Sequence, residues 1–381
     1  MKNWPMIKVA DEFDLQMGKT PARDNPAYWG GDQKWASIAD IGRSDMYLAD
    51  TKEAITQEAV SESGIKAVPP NTVVMSFKLS IGRTAITASR MYTNEAIMAF
   101  LPHDASAFDL HFLYHLFSNR NWSEGSNKAV KGVTLNKATL NVARIPKPDI
   151  SEQRAVASTL DKVCNLIAKC DEQIVRLDQL VKSRFVEMFG DLPNSKTLAD
   201  VCLIITDGTH QSPKFVEKGI PFLFVSNIVT NRLTYDAEKF IDEATYSELI
   251  KRTPIEPGDI LLSTVGSYGH PAIVQSDKRF LFQRHIAYLK PSKAVVDSVF
   301  LHSVILSSNV QEQIERKVKG IAQKTLNLSE IKTIAVPLPP LALQREFAAF
   351  VAKVDKLAFA ARQRRDVAKQ LYRAKIQEFF G

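Results

Sequence analysis

Cysteine is scarce in this chain of 381 residues. Cys164, Cys170 and Cys202 are the three present, and they form neither a CxxC pair nor a ligand-spaced cluster with the seven histidines. That excludes a disulfide scaffold and a structural zinc site, and it points to a reducing compartment, so a cytoplasmic location is expected. Long apolar runs are missing as well. None approaches the roughly 20 residues that span a bilayer, so no membrane role is expected. The opening segment carries Asp11, Glu12 and Asp14 where a secretory leader would need an apolar stretch. Clustered carboxylates of the kind that hold catalytic metal are also lacking, and Ser, His and Asp occur without a linking pattern.

Glycine and proline vanish from two stretches, 149–189 with 41 residues and 341–380 with 40. In the first, Val156, Leu160, Val163, Ile167, Cys170, Ile174, Leu177, Val181 and Met188 recur in steps of four and three, with Arg184 interrupting. That is the heptad seam of a coiled coil. The second seam runs Phe347, Val351, Val354, Ala358, Ala361, Arg365, Ala368, Tyr372 and Phe379, and its alanines predict close helix approach. At about 1.5 Å per residue each helix would be roughly 60 Å long. Pro146 and Pro148 precede the first, with Asp149 or Ser151 available as N-cap and Gly190 to close it; Pro337, Pro339 and Pro340 precede the second.

What remains has a globular balance, 45% hydrophobic and 24% charged overall, and enough length for two domains of about 150 residues. Net charge is +7, and the excess concentrates in 341–380, which holds nine basic and four acidic residues. Such an excess hints at a polyanionic partner.

The chain is one unit written twice. Shifted by 191, Thr134-Leu135-Asn136 matches Thr325-Leu326-Asn327, Gln153-Arg154 matches Gln344-Arg345, and Glu187 to Gly190 matches Glu378 to Gly381, without a gap over 57 positions. Upstream the shift is 187, pairing Pro70 with Pro257, Ser76 with Ser263 and Gly82 with Gly269. Frame residues are kept, while the polar loop residues differ. Runs 72–77, 85–88, 221–225 and 259–264 read as strands, and 107–119 and 299–309 as short helices. The short link after Gly190 would turn the second helix back beside the first.

These residues resemble the specificity subunits of Type I restriction–modification systems. The resemblance rests on Gly18-Lys19-Thr20-Pro21 with Tyr28-Trp29-Gly30-Gly31-Asp32 and Trp35, on Asp207-Gly208-Thr209-His210 with Pro213, and on the duplicated proline junctions into long helices. The order, duplication and full-length coverage of these pieces make it specific. It implies an α+β fold: two globular α/β target-recognition domains in pseudo-twofold arrangement, separated by two long antiparallel helices forming a coiled coil. The domains would be 1–148 and 191–340, and the helical spacers 149–190 and 341–381. It further implies a non-catalytic subunit that binds double-stranded DNA and docks two methyltransferase subunits on its helices, with restriction subunits joining. No cofactor is expected in this chain; S-adenosylmethionine, ATP and Mg would belong to partner subunits.

Base-edge readers and phosphate holders are sought among loop polar residues. Those suited in the first domain are Lys19, Thr20, Arg23, Lys78, Ser80 and Arg83; in the second they are His210, Gln211, Lys214, Ser267, Tyr268 and His270. Basic loops holding Lys128 and Lys131, and Lys319 and Lys324, are expected to touch phosphates. Leu166, Phe185, Val186, Leu357 and Phe359 would form an apolar outer face for partner helices. Gly18-Lys19-Thr20 imitates the end of a P-loop, but Asp14 stands where its first glycine belongs. Asn25-Pro26-Ala27-Tyr28 approaches a methyltransferase loop without the glycine-rich companion that would bind S-adenosylmethionine. A coiled-coil scaffold that binds no DNA is the rival reading.

Overall fold

The structure, a computed structural model, describes residues 4–78, 80–122, 135–320 and 323–381. The two stretches without glycine or proline are single helices, Ile150–Phe189 and Leu341–Phe380. Asp149 starts the first, its carboxylate accepting from the Glu152 amide at 2.9 Å. Among the described residues no helix is long and apolar enough to cross a membrane. By contacts the chain divides into two compact units, Met1–Asp171 with Gln363–Gly381, and Glu172–Arg362. Unit 1 joins two separate stretches of sequence and unit 2 is a single continuous run, and each takes part of both long helices.

Unit 1 holds a five-stranded sheet in the order Phe13–Met17, Ile97–Pro102, Val73–Ser76, Thr84–Thr87, Tyr47–Leu48, and a three-stranded sheet centred on Trp29–Ala36. Strand Val73–Ser76 is buried throughout, and its period of two divides its side chains between two cores. Val73 and Met75 face the aromatic core of Trp4, Phe13, Phe100, Phe112 and Phe117, while Val74 faces Ala85, Ile97 and Ala99. The same core receives Val156 and Leu160 from the first long helix and Phe379 from the end of the second. A partly buried polar knot lies beside it. Asp161 lies 2.8 Å from Nε2 of fully buried His115 and 2.6 Å from Nδ1 of His111, and the Tyr372 hydroxyl lies 3.1 Å from His115 Nδ1. Burial holds the His115 pKa below its ordinary value against the pull of Asp161.

Unit 2 repeats the plan with a four-stranded sheet, Cys202–Asp207, Ile286–Pro291, Ile260–Ser263, Pro271–Ile273, and a three-stranded sheet centred on Ile220–Leu223. In both units the central strand of the smaller sheet pairs with one neighbour antiparallel and the other parallel. Ile260 and Leu262 face a core with Phe185, Phe189, Phe300 and Phe347, and Leu261 faces a second core with Phe280 and Phe282. The stretch 299–309 is two helices rather than one, Ser298–Ile305 and Ser308–Lys317. Ser307 separates them, donating to Val304 O at 2.7 Å while its hydroxyl accepts from the Val310 amide.

The proline junctions are bolted by the same buried side chain in both copies. Gln153 Oε1 accepts from the Asp109 amide at 2.9 Å and its Nε2 donates to Pro148 O at 2.9 Å. Gln344 does the same with the Asp297 amide and Pro339 O, both at 2.8 Å. Each Nε2 also donates to a second carbonyl, Ala107 O at 3.1 Å and Val295 O at 3.3 Å, and since both glutamines are 0% exposed their amide groups depend on these protein partners.

One helix-face assignment is corrected. Phe185 is 9% exposed and packs against Phe189, Phe300 and Phe347, with ring centroids 5.4–6.1 Å away, so it is core rather than outer face. From Leu177 the inward positions advance by four, through half-buried Val181 and buried Phe185 to Phe189. Steps of four drift about 40° past a full turn each time, turning this face off the heptad seam and onto the sheet domain. Leu166, Val186, Leu357 and Phe359 are exposed.

Candidate nucleic-acid interface

The loops at Gly18-Lys19 and Gly208-Thr209 each meet one feature, a turn over residues 94–97 in unit 1 and 283–286 in unit 2. Five backbone hydrogen bonds are common to the two. Asn94 N–H donates to Ala36 O at 3.0 Å and Gln283 N–H to Leu223 O at 3.1 Å, and the turn closes from Ile97 to Asn94 and from Ile286 to Gln283 at 3.1 Å. The Gly18 amide donates to Ile97 O and Gly208 to Ile286 O, and Lys19 donates to Thr93 O as Thr209 does to Phe282 O. Phe77 donates to Ala96 O and Thr264 to His285 O. The glycine of each motif is a packing requirement: a Cβ on Gly18 would lie 2.2 Å from Thr93 O, and one on Gly208 2.3 Å from Phe282 O.

A second shared device is the hairpin beside the turn. The Ser76 hydroxyl accepts from the Arg83 amide at 3.1 Å, and the Ser263 hydroxyl from the His270 amide at 2.9 Å. Gly82 and Gly269 precede those residues at φ of 88° and 79°, a conformation that favours glycine.

On this common backbone the side chains differ. In unit 1 the second turn residue is Glu95, whose carboxylate accepts from the Thr20 hydroxyl. That bond, with the Lys78 and Arg23 charges, holds the Glu95 pKa below the usual carboxylate value despite partial burial. Arg23 lies over the Trp29 and Trp35 rings at 3.9 and 4.8 Å and pairs through two N–H groups with Glu53. Trp35 is core, its Nε1 donating to Lys19 O at 3.0 Å. Lys19 reaches Ser63 O, and Ser80 is exposed with its carbonyl accepting from Ser76 Oγ. Arg83 lies against Gly42, where any Cβ would strike its guanidinium. Lys128 and Lys131 lie outside the described residues.

In unit 2 the equivalent turn residue is Arg284, beside His285, whose pKa is held down by burial and by the Arg284 charge. His210 pairs with Asp207 at 2.9 Å, and Arg252 reaches the same carboxylate at 2.5 Å. Asp207, Thr264, Arg284, His285, Gln323 and Asn327 border a cleft of about 520 Å³. Lys324 donates to Glu315 at 2.7 Å and sits 5.8 Å over the Tyr268 ring, and Tyr268 donates to Glu315 as well. Lys319 is further along, on Glu330 at 2.8 Å. His270 meets Asn231 at 3.0 Å, while Gln211, Lys214 and Ser267 are exposed. Exposed ion pairs such as Arg23–Glu53 and Lys324–Glu315 are screened by water and weak, so their cations can be drawn to another anion at little cost.

Sequence reading missed Glu95, Arg284 and Arg252. Glu95 and Arg284 stand 189 apart, two more than the shift of 187 that aligns the hairpins, so a constant shift does not pair them. Among the described residues no group of three His, Cys, Asp or Glu is arranged to hold a metal ion.

One backbone with two sets of exposed polar side chains defines a recognition protein with two unlike copies of one domain. Its relatives are of that kind. The family model described as the Type I restriction modification DNA specificity domain matches residues 1–176 and again 194–369. The MjaIX specificity subunit of Methanocaldococcus jannaschii is 24% identical over 378 residues, covering 92% of this chain and 86% of its own. The S subunit of a Type I system from M. genitalium superposes with a TM-score of 0.59 at 15% identity, over 100% of this chain and 96% of that one. A chain from a structural study of complex assembly and conformational transition in the type I R-M system also gives 0.59, at 17% identity over 99% and 97%. The chain belongs to the Type I restriction–modification DNA specificity family, and it is a specificity subunit rather than an enzyme.

Proposed function

We propose that each unit reads one part of a bipartite, asymmetric DNA site. The observation that carries this is the shared turn and hairpin with unlike side chains: the same backbone is offered to DNA twice with different hydrogen-bonding groups. The basic residues around each turn hold phosphates and fix register, while the turn and hairpin side chains face base edges. The long helices set the gap between half-sites, and their exposed apolar residues Leu166, Val186, Leu357 and Phe359 take two methyltransferase subunits. Restriction subunits join that assembly, and S-adenosylmethionine, ATP and Mg are held by the partner subunits.

The test is to co-express the chain with type I methyltransferase subunits and map the methylated bases in host DNA. A two-part motif with unlike halves is expected. Removing one heptad from both helices should change the gap and leave the halves intact. DNA affinity should fall steeply as salt rises; salt-insensitive behaviour with no motif would favour a protein-binding scaffold.

A further inference from the structure

We infer that Glu95 and Arg284 are specificity-determining residues of opposite chemistry: the Glu95 carboxylate accepts from a base amino group in one half-site, and Arg284 donates to a guanine in the other. This rests on the reading of the chain as a DNA-recognition subunit. Both residues are exposed and occupy the second position of the same turn, held by the same five backbone hydrogen bonds. The backbone therefore delivers each side chain to an equivalent place, and only the chemistry changes.

An ionised carboxylate accepts hydrogen bonds and donates none. It repels phosphate, so a glutamate at a DNA-facing corner cannot serve as a backbone clamp. The donors that bases show in the major groove are the amino groups of cytosine N4 and adenine N6. Thr20 donates to Oε2 of Glu95 and orients it, and a carboxylate has about four acceptor positions, so capacity remains. Lys78 and Arg23 lie near enough to lower its pKa, and they offset its charge against the phosphate backbone.

Arg284 has the reverse equipment. Its Nε lies 3.4 Å from His285 Nε2, which leaves the two terminal nitrogens of the guanidinium as a fork. Guanine N7 and O6 are the acceptor pair that such a fork matches. The cleft beside it is bordered by the further polar groups of Asp207, Thr264, Gln323 and Asn327.

The experiment uses the full chain assembled with its methyltransferase subunits, and reads the preferred base at every motif position from a randomised DNA library. Glu95→Ala should relax one amino-bearing position in one half-site, and Arg284→Ala one guanine in the other, each by about ten- to a hundredfold in discrimination. Glu95→Gln should shift preference toward adenine, which an amide pairs with on two atoms. Arg284→Lys, whose ammonium also donates to guanine N7 and O6, should retain part of the guanine preference that alanine loses. Since each substitution touches one unit, the untouched half-site reports that the chain has folded. Unchanged preference at every position, uniform weakening across all sequences, or relaxation in the same half-site by both variants would overturn the assignment. A wild-type complex with no sequence preference would instead overturn the DNA-recognition reading itself, and the assignment with it.

Discussion

The two units agree in what is buried and diverge in what is exposed. Gln153 and Gln344 make matching hydrogen bonds at the two helix junctions, and Ser76 and Ser263 close matching hairpins. One residue beyond a shared backbone bond, Glu95 in one unit becomes Arg284 in the other. A buried polar group without its partner costs about 1–3 kcal/mol, whereas an exposed side chain away from special features changes stability by about half a kcal/mol or less. That asymmetry lets one architecture carry two recognition surfaces: the frame is fixed by energetics, and the corners are left to be set by the ligand.

The largest way to strain this comparison is through the aromatic cores. Phe347 packs between Phe185 and Phe189 at 5.6 Å from each, and Phe347→Ala should destabilise unit 2 by about 3–5 kcal/mol. Hydrogen exchange resolved by segment would show the loss in unit 2 amides. The glutamine bolts come next. Gln153→Leu and Gln344→Leu each take the side-chain partner from one backbone amide and two carbonyls, and each should cost about 1–3 kcal/mol for every group left unsatisfied in denaturant unfolding. Equal losses would sharpen the equivalence; one neutral variant would break it.

Acid gives a smaller effect. Burial lowers the pKa of His115 in unit 1 and of His302 in unit 2 below the ordinary histidine value. A folded-state pKa below the unfolded one means that the unfolded chain binds protons first. Stability is thus full above about pH 6.5 and falls as pH drops through that value. His115→Gln should flatten the pH dependence of unit 1 and His302→Gln that of unit 2, each read from exchange rates at pH 7.5 and 5.5 chosen as about one unit either side.

Much of this frame was legible in the sequence, for a physical reason. Heptads at Phe347, Val351, Val354, Ala358 and Ala361 announce a buried seam because a helix presents one face at that spacing. Strands Val73–Ser76 and Ile260–Ser263 stood out because burial on both faces demands apolar side chains on both. Phe185 was misplaced because a four-residue step is compatible with either the seam or a face drifting off it, and the choice depends on the domain it meets. The site was legible as loops and not as residues. Lys19, Arg23, Lys78 and His210 lie at or beside the two turns, while Lys324 sits on Tyr268 and Glu315 and Lys319 on Glu330. Glu95 and Arg284 were invisible because insertions between strands change the shift, and only backbone pairing shows which positions correspond.

One experiment reaches the core of the account. A chain carrying residues 191–340 in both domain positions, joined to the native helices and assembled with methyltransferase subunits, has two copies of one set of corners on an unchanged frame. Methylation mapping should return a site whose two parts are the same half-sequence at the native gap. Retention of the original first half-site would contradict the claim that each unit carries its own reading chemistry.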